Sequence, residues 1–151
     1  MMRQLPSLVV FLVLTALVAA FAAQFQPGSW YAALAKPAWT PPNGIFAPVW
    51  TILYASIAIA GWLAWHAPLA QRARLFWFTG LLLNGLWSYV FFRAHMIDWA
   101  LLDIGLLWLS IIGFILTAWS RSRAAALLFL PYLTWLTYAA LLNGAIWHLN
   151  R

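Results

Sequence analysis

The sequence predicts an all-α integral membrane protein, a five-transmembrane-helix bundle with a long structured loop between helices 1 and 2. Of its 151 residues, 66% are hydrophobic and 7% are charged. An ordinary soluble domain has roughly 45–50% apolar and about 25% charged residues, so a soluble globule is excluded. The apolar residues form five runs, each close to the roughly 17–25 residues that a helix needs to cross the hydrocarbon. One integral-membrane domain is therefore expected over residues 1–151.

The five runs are apolar on all sides, whereas the strands of a membrane barrel alternate apolar and polar residues. Arg3 and the segment Ala20-Phe21-Ala22 loosely match a signal peptide. The first run exceeds the typical apolar core of about 7–15 residues, so we expect it to remain as a span. We predict spans at about 5–25, 46–65, 75–92, 99–119 and 124–147.

The connections 66–74, 93–98 and 120–123 are short, which predicts that consecutive helices are antiparallel neighbours. The 26–45 loop is long, and loops of that length in compact domains usually have structure of their own. We predict a short helix with Ser29 as its N-cap, running through Trp30, Tyr31 and Leu34. Lys36-Pro37 should end it, because the residue before a proline avoids helical geometry.

The formal charge is +6, but the basic residues are scattered between apolar runs, which favours membrane anchoring over nucleic-acid binding. Five basic residues lie on one side of the predicted membrane and three on the other. This asymmetry favours a cytoplasmic N-terminus and an outward-facing 26–45 loop. The two sets are Arg3, Arg72, Arg74, Arg121 and Arg123, and Lys36, Arg93 and Arg151.

The third span has one face that consists of Trp77, Gly80, Asn84, Trp87 and Phe91, at helical spacing. Gly80 is expected to leave room beside Asn84. An amide inside the membrane needs a partner, because unpaired polar groups in hydrocarbon are costly. Asn84 is therefore either a bridge between helices or a donor to a ligand on an aromatic wall.

Aromatic residues also mark the second and fifth spans. Trp50 and Tyr54 are one helical turn apart. Pro131 is either a membrane proline that the span tolerates or a kink that opens space between helices. After Pro131 come residues that combine aromatic rings with polar groups: Tyr132, Trp135, Tyr138 and Asn143.

Asp103 lies about one turn inside the fourth span, on the stripe of Ser110 and Thr117, and we expect it to face headgroups or to pair with Arg93 or His95. The three histidines lie at span ends without metal-ligand spacing, so no metal site is predicted. No Ser-His-Asp order, phosphate-binding glycine loop or carboxylate pair can be assembled, which argues against a conventional catalytic site.

These features predict a pocket for a flat, apolar ligand with few polar groups, covered by the 26–45 loop. The predicted ligand-binding residues are Trp50, Tyr54, Asn84, Trp87, Trp135, Tyr138 and Asn143. The predicted lid residues are Trp30, Tyr31, Leu34, Lys36, Pro37, Trp39, Pro41 and Pro42.

Four ordered motifs resemble the translocator protein (TspO/MBR) family, also called tryptophan-rich sensory protein or peripheral benzodiazepine receptor. The first is the loop signature, followed by three motifs in the spans, and together they cover all but the first 25 residues or so. They read Trp30-Tyr31-x-x-Leu34-x-Lys36-Pro37-x-Trp39-x-Pro41-Pro42, Pro48-Val49-Trp50-x-x-Leu53-Tyr54, Asn84-x-x-Trp87, and Pro131-Tyr132-x-x-Trp135 with Leu142-Asn143.

The resemblance implies a homodimer with a cavity that binds porphyrins such as protoporphyrin IX, isoquinoline carboxamides and benzodiazepine-type ligands, and in some members sterols. It implies no required cofactor, the porphyrin being ligand or substrate. By position, Trp50, Asn84 and Trp135 match family pocket residues. The loop residues Trp30, Leu34, Trp39 and Pro42 match the segment that closes the pocket.

One departure concerns sterols, whose proposed motif needs a basic residue within about five positions of a tyrosine. Here Gly144 and His148 stand where the animal sequences have Tyr and Arg, and Tyr138 has no basic residue after it until Arg151. The departure suits a bacterial member in the cell membrane.

The leading hypothesis is a membrane receptor or sensor for porphyrins. The alternatives are a light- and oxygen-dependent porphyrin-degrading enzyme, for which Trp50 and Trp135 are the candidate oxidisable indoles, and a transporter of tetrapyrroles or lipids. A scaffold without a ligand is a further alternative. No internal repeat of the kind common in transporters is evident.

Overall fold

A computed structural model describes residues 5–151. Five helical segments in this range are long and apolar enough to cross a membrane, so the predicted all-α, multi-pass membrane fold is confirmed. The elements are α1 (Leu5–Ala22), α2 (Ser29–Ala33), a short 3-10 helix (Asn43–Ile45), α3 (Phe46–His66), α4 (Gln71–Ser88) continued by a π-helical turn (Tyr89–Arg93), α5 (Ile97–Trp119), α6 (Arg123–Leu128) and α7 (Leu130–Leu149).

The five spans are arranged in a ring. α1 packs between α3 and α4, α4 packs on α5, and α5 packs on α7, while α6 contacts both α3 and α5 and so completes the ring. Trp77 of α4 fills the centre near the 67–70 connection, where its Nε1 donates to the Ile57 carbonyl at 2.8 Å. Towards the 26–45 loop, the interior is occupied by side chains of the candidate site.

The third span begins earlier than predicted, at Gln71 rather than Leu75, so the connection is only 67–70. Arg72 and Arg74 are thus in the first turn of α4. Their low hydropathy excluded this turn from the predicted span, although its backbone is helical. Arg74 donates to the carbonyls of Ala64 and Ala67, at 3.3 and 3.0 Å, and so binds the end of α3. The first span ends at Ala22, three residues before the predicted end.

The end of the third span is wound as a π-helix, which the sequence did not predict. The Ala94 amide donates to the Tyr89 carbonyl, five residues back, at 2.9 Å. His95 follows in a left-handed conformation, with φ 59°. Its ring stacks on Trp30 of α2 at 4.1 Å between centroids, so the irregular helix end contacts the 26–45 loop.

The fifth span consists of two helices, α6 and α7, because the helix is interrupted at Phe129. Pro131 lies in the first turn of α7, where its missing N–H needs no partner within the helix. The predicted disruption therefore occurs just before the proline. Phe129 stacks on Phe114 of α5 at 3.9 Å, which fixes the break against the neighbouring helix.

The 26–45 loop contains the predicted short helix, with different ends. Ser29 is the first residue of α2 and not its N-cap: Gly28 holds that position, without a side-chain hydrogen bond. The helix ends at Ala33 and Leu34 is extended, two residues before Lys36. Lys36 stabilises this end, because its Nζ donates to the carbonyls of Tyr31, Ala32 and Leu34.

Candidate functional site

A chain of three polar side chains crosses the interior of the bundle. Tyr54 of α3 donates its hydroxyl proton to Asn84 Oδ1 at 2.5 Å, and Asn84 Nδ2 donates to the Tyr132 hydroxyl at 2.8 Å. Asn84 and Tyr132 are both buried. Asn84 therefore acts as a bridge between α3, α4 and α7. The tyrosines occupy one acceptor position and one of the two N–H donors of its amide.

Aromatic rings from α3 and α7 line the same region. Trp50 lies 5.5 Å from the ring of Tyr54 and 6.1 Å from that of Tyr132. Phe46, at the start of α3, meets Trp135 edge-on at 5.8 Å. Rings from two helices thus pack together beside the Tyr54–Asn84–Tyr132 chain.

Two buried polar atoms in the described part of the chain have no hydrogen-bond partner: Trp135 Nε1 and Asp103 Oδ2. The expectation that Asp103 faces headgroups or pairs with Arg93 or His95 is wrong. Asp103 is only 6% exposed, whereas Arg93 and His95 are exposed. The indole N–H is a donor and belongs to the aromatic site, whereas the carboxyl oxygen is an acceptor on α5.

Trp87 and Asn143 form a separate pair. Trp87 Nε1 donates to Asn143 Oδ1 at 3.0 Å, and Asn143 Nδ2 donates to the Ile97 carbonyl at 3.2 Å. Trp87 stacks on Phe91 at 5.0 Å, in a layer between the rings of the site and the 26–45 loop. Trp87 and Asn143 were both predicted to bind ligand, but the polar groups of both side chains are hydrogen-bonded within the protein.

The 26–45 loop folds back on the helix ends through its aromatic residues. Trp30 packs on Phe91 at 5.8 Å, and Tyr31 packs on Phe92 at 5.5 Å. Trp39 meets the ring of Tyr138 at 5.6 Å, and its carbonyl accepts the Tyr138 hydroxyl proton at 2.6 Å. The loop is thereby joined to α7 one helical turn from Trp135.

The predicted lid residues divide by environment. Tyr31 is buried and Leu34 packs beside it, whereas Trp39 remains 48% exposed. Lys36 lies over the Tyr31 ring at 4.8 Å. Burial, and secondly the electrostatic effect of Tyr138, raises the pKa of the Tyr31 phenol, so it stays neutral above the usual range. Pro37 and Pro41 are half-buried and Pro42 is exposed.

Asn150, just beyond α7, also binds the loop. Its Oδ1 accepts the Ala35 amide at 3.0 Å, while its Nδ2 donates to the Ala35 carbonyl at 2.9 Å and to the Ile146 carbonyl at 2.7 Å. Asn150 could not be predicted as a loop contact from the sequence, since the two partners are 115 positions apart and no local pattern joins them.

Sequence reasoning also left two residues out of the site. Tyr132 was noted after Pro131 but not assigned, although the need of every buried Asn for two partners could have indicated a neighbouring tyrosine. Phe46 begins α3 and carries no polar atom, so no chemical signal identified it.

The fold and the site together define a five-span helical membrane protein with an aromatic interior site under a folded loop. The family model described as TspO/MBR family matches residues 7–148. The chain belongs to this family.

Curated relatives cover most of the chain. It is 37% identical over 145 residues to Protein CrtK of Rhodobacter capsulatus, covering 93% of this chain and 91% of that protein. It is 42% identical over 124 residues to the Tryptophan-rich protein TspO of Archaeoglobus fulgidus, covering 81% and 80%. It is 38% identical over 128 residues to the human Translocator protein, covering 81% and 75%.

Proposed function

We propose that the protein is a membrane receptor or sensor that binds porphyrins, and related flat apolar molecules, in the aromatic site between α3 and α7. The observation that supports this most directly is the buried Trp135 Nε1, a donor without a protein partner beside a set of aromatic rings. A planar ligand offers the faces that such rings pack against.

The polar requirements of the site match such a ligand. Each member of the Tyr54–Asn84–Tyr132 chain already has a hydrogen-bond partner within the chain, so none of the three depends on a ligand for its only hydrogen bond. Trp135 Nε1 needs one acceptor, such as a ring nitrogen or a carbonyl or carboxylate oxygen. One donor within an apolar wall is typical of small-molecule sites, where a few polar groups set orientation.

Entry of a ligand into the site requires the aromatic rings that touch across it to move apart. Phe46 and Trp135 touch across the site, and Trp39 lies against Tyr138 on the loop side. Movement of the 26–45 loop would free Tyr138 and the start of α3 together, because the 3-10 helix Asn43–Ile45 connects the loop directly to Phe46. The loop is thus proposed as the lid of the site.

The test is a titration of the detergent-purified protein with protoporphyrin IX, followed by quenching of tryptophan fluorescence. Trp50→Ala and Trp135→Ala should each weaken binding about three- to tenfold, since aromatic contacts contribute about 0.5–1.5 kcal/mol beyond area burial. Trp135→Phe keeps a ring and removes the N–H donor. A loss of affinity smaller than that of Trp135→Ala would separate the contribution of ring stacking from that of the hydrogen bond.

Trp99→Ala is the matched control, because Trp99 is 57% exposed at the start of α5, away from the site. It should bind porphyrin like the parent protein. Unchanged affinity in both Trp50→Ala and Trp135→Ala, with helix content and melting temperature retained, would rule out this site.

A further inference from the structure

The end of the bundle opposite the 26–45 loop has a half-open cavity of about 380 Å³. It lies between the α3–α4 connection and the α5–α6 connection. The residues that matter here are Leu69, Gln71, Arg72, Ser120 and Arg121, all of which line it. None of them belongs to the aromatic site.

The cavity is basic and its charges are uncompensated. In the described range 5–151, the side chains of Arg72 and Arg121 have no hydrogen-bond or ionic partner, whereas Arg74 is committed to two carbonyls. Both acidic side chains of the chain belong to α5, at the other end of the bundle. Two free guanidinium groups facing one cavity form a site for an anion, and guanidinium matches phosphate geometry well.

The position of the cavity indicates where the anion comes from. Trp65 and Trp119, at the ends of α3 and α5, are exposed, as expected at the headgroup level of a membrane. Arg74 lies over Trp65 at 5.1 Å and Arg123 over Trp119 at 5.3 Å. The cavity therefore opens at the depth where lipid phosphates lie.

Leu69 adds an apolar contact beside the two arginines. It is 68% exposed, and its φ of 55° is in the left-handed region that leucine rarely adopts. This conformation places an apolar side chain at the rim of a charged cavity. A free phosphate ion would gain nothing from it, whereas the glycerol and acyl portion of a lipid would.

We propose that this cavity binds the phosphate group of an anionic membrane lipid. Arg72 and Arg121 bind the phosphate oxygens, Ser120 and Gln71 supply further hydrogen-bonding groups, and Leu69 contacts the apolar part of the lipid. Basic pockets between membrane helices bind anionic headgroups by the same chemistry. Inorganic phosphate presents the same anion without the apolar part, so the two sources can be separated.

The experiment measures binding of dioleoyl phosphatidylglycerol to the full-length protein in detergent by native mass spectrometry, with dioleoyl phosphatidylcholine and inorganic phosphate as comparison ligands. Each basic group near an anionic lipid is worth about fivefold in affinity, so Arg72→Gln/Arg121→Gln should bind phosphatidylglycerol about thirtyfold more weakly. Arg123→Gln removes the same charge at the same end without lining the cavity, and should bind within about twofold of the parent.

Leu69→Gly relieves the left-handed strain and removes the apolar contact, so it should fold and lose phosphatidylglycerol affinity without losing phosphate affinity. Equal phosphatidylglycerol binding by the double variant and Arg123→Gln would overturn the proposal, as would phosphatidylcholine binding as tightly as phosphatidylglycerol. Arginine-dependent binding of inorganic phosphate alone would overturn the lipid as the source. Circular dichroism and size-exclusion profiles verify that each variant is folded.

Discussion

Polar side chains in the spans obtain hydrogen bonds in two ways. Several spanning threonines bond within their own helix: Thr134 Oγ1, for example, donates to the Leu130 carbonyl at 3.0 Å. Such residues can face lipid at little cost. Asn84 has more hydrogen-bonding capacity than its helix can satisfy, and its partners are Tyr54 and Tyr132 on two other helices.

Replacing Asn84 with Leu should therefore destabilise the protein more than its size change suggests. Two interhelical hydrogen bonds are lost, each worth about 0.6 kcal/mol on average inside a membrane, for a total of about 1 kcal/mol. The measurement is the melting temperature in detergent. Thr134→Val is the control, since it removes only a bond within one exposed helix; a larger loss there than in Asn84→Leu would contradict the bridging role.

At the scale of elements, glycine sets how closely two pairs of helices approach. Gly61 of α3 lies against the indole of Trp77 in α4, and a Cβ at this position would overlap that ring. Gly80 was expected to leave room beside Asn84, but the structure places it against Ser110 of α5, where a Cβ would lie 2.8 Å from the Ser110 hydroxyl oxygen.

The two glycines should respond differently to alanine. Trp77 is 2% exposed and hydrogen-bonded to Ile57, so it cannot move aside, and Gly61→Ala should cost about 1–3 kcal/mol of unfolding free energy. Gly80→Ala should cost less, because the Ser110 hydroxyl can rotate. Chemical unfolding of both variants tests this, and an equal loss would contradict the expected difference between the fixed indole and the rotatable hydroxyl.

At the scale of the whole molecule, the 26–45 loop packs on Phe91 and Phe92 and is also held by three further contacts with distant parts of the chain. They are the stack of Trp30 on His95, the hydrogen bond from Tyr138 to Trp39, and the paired hydrogen bonds of Asn150 with Ala35. The last contact connects the end of α7 to the loop. We therefore expect motion of α7 to affect the proposed lid.

Asn150→Ala should loosen the loop without unfolding the bundle, because Asn150 is exposed and lies beyond the last helix. We expect faster amide hydrogen exchange across residues 29–40 and faster dissociation of bound protoporphyrin, with a nearly unchanged association rate. Exchange mass spectrometry and stopped-flow fluorescence measure the two effects. Gln26→Ala serves as a control, since Gln26 bonds only to the neighbouring Ala23; equal exchange in both variants would show that Asn150 does not restrain the loop.

The fold class and the number of spans could be predicted from the sequence because apolar runs of about 20 residues are a local property. The start of α4 was predicted wrongly, since Arg72 and Arg74 interrupt the apolar run while the backbone remains helical. The sequence placed Trp50, Tyr54, Asn84 and Trp135 in one predicted site. Ligand binding by these residues stays a prediction, as does the homodimer.

The interactions that were missed are all distant in sequence or dependent on backbone detail. Asp103 was expected at headgroups because it is near the start of its span, but burial depends on which neighbours surround it. The π-helical turn and the Asn150–Ala35 pair follow from packing between segments, which periodicity does not encode. Arg3, counted in the charge asymmetry, lies outside the described residues.

The sparse packing of α1 has a consequence for biosynthesis. Of the five spans α1 is the most apolar and the least buried, and its Thr15 is satisfied by its own Phe11 carbonyl. It precedes the others along the chain, so after leaving the translocon it can reside alone in lipid while the ribosome continues. α4 is the least apolar span, and its Asn84 obtains the Tyr132 bond only after another 48 residues are synthesised. We therefore expect insertion and assembly to be separate events in this chain, with the ring closed by the span that is translated last of the five.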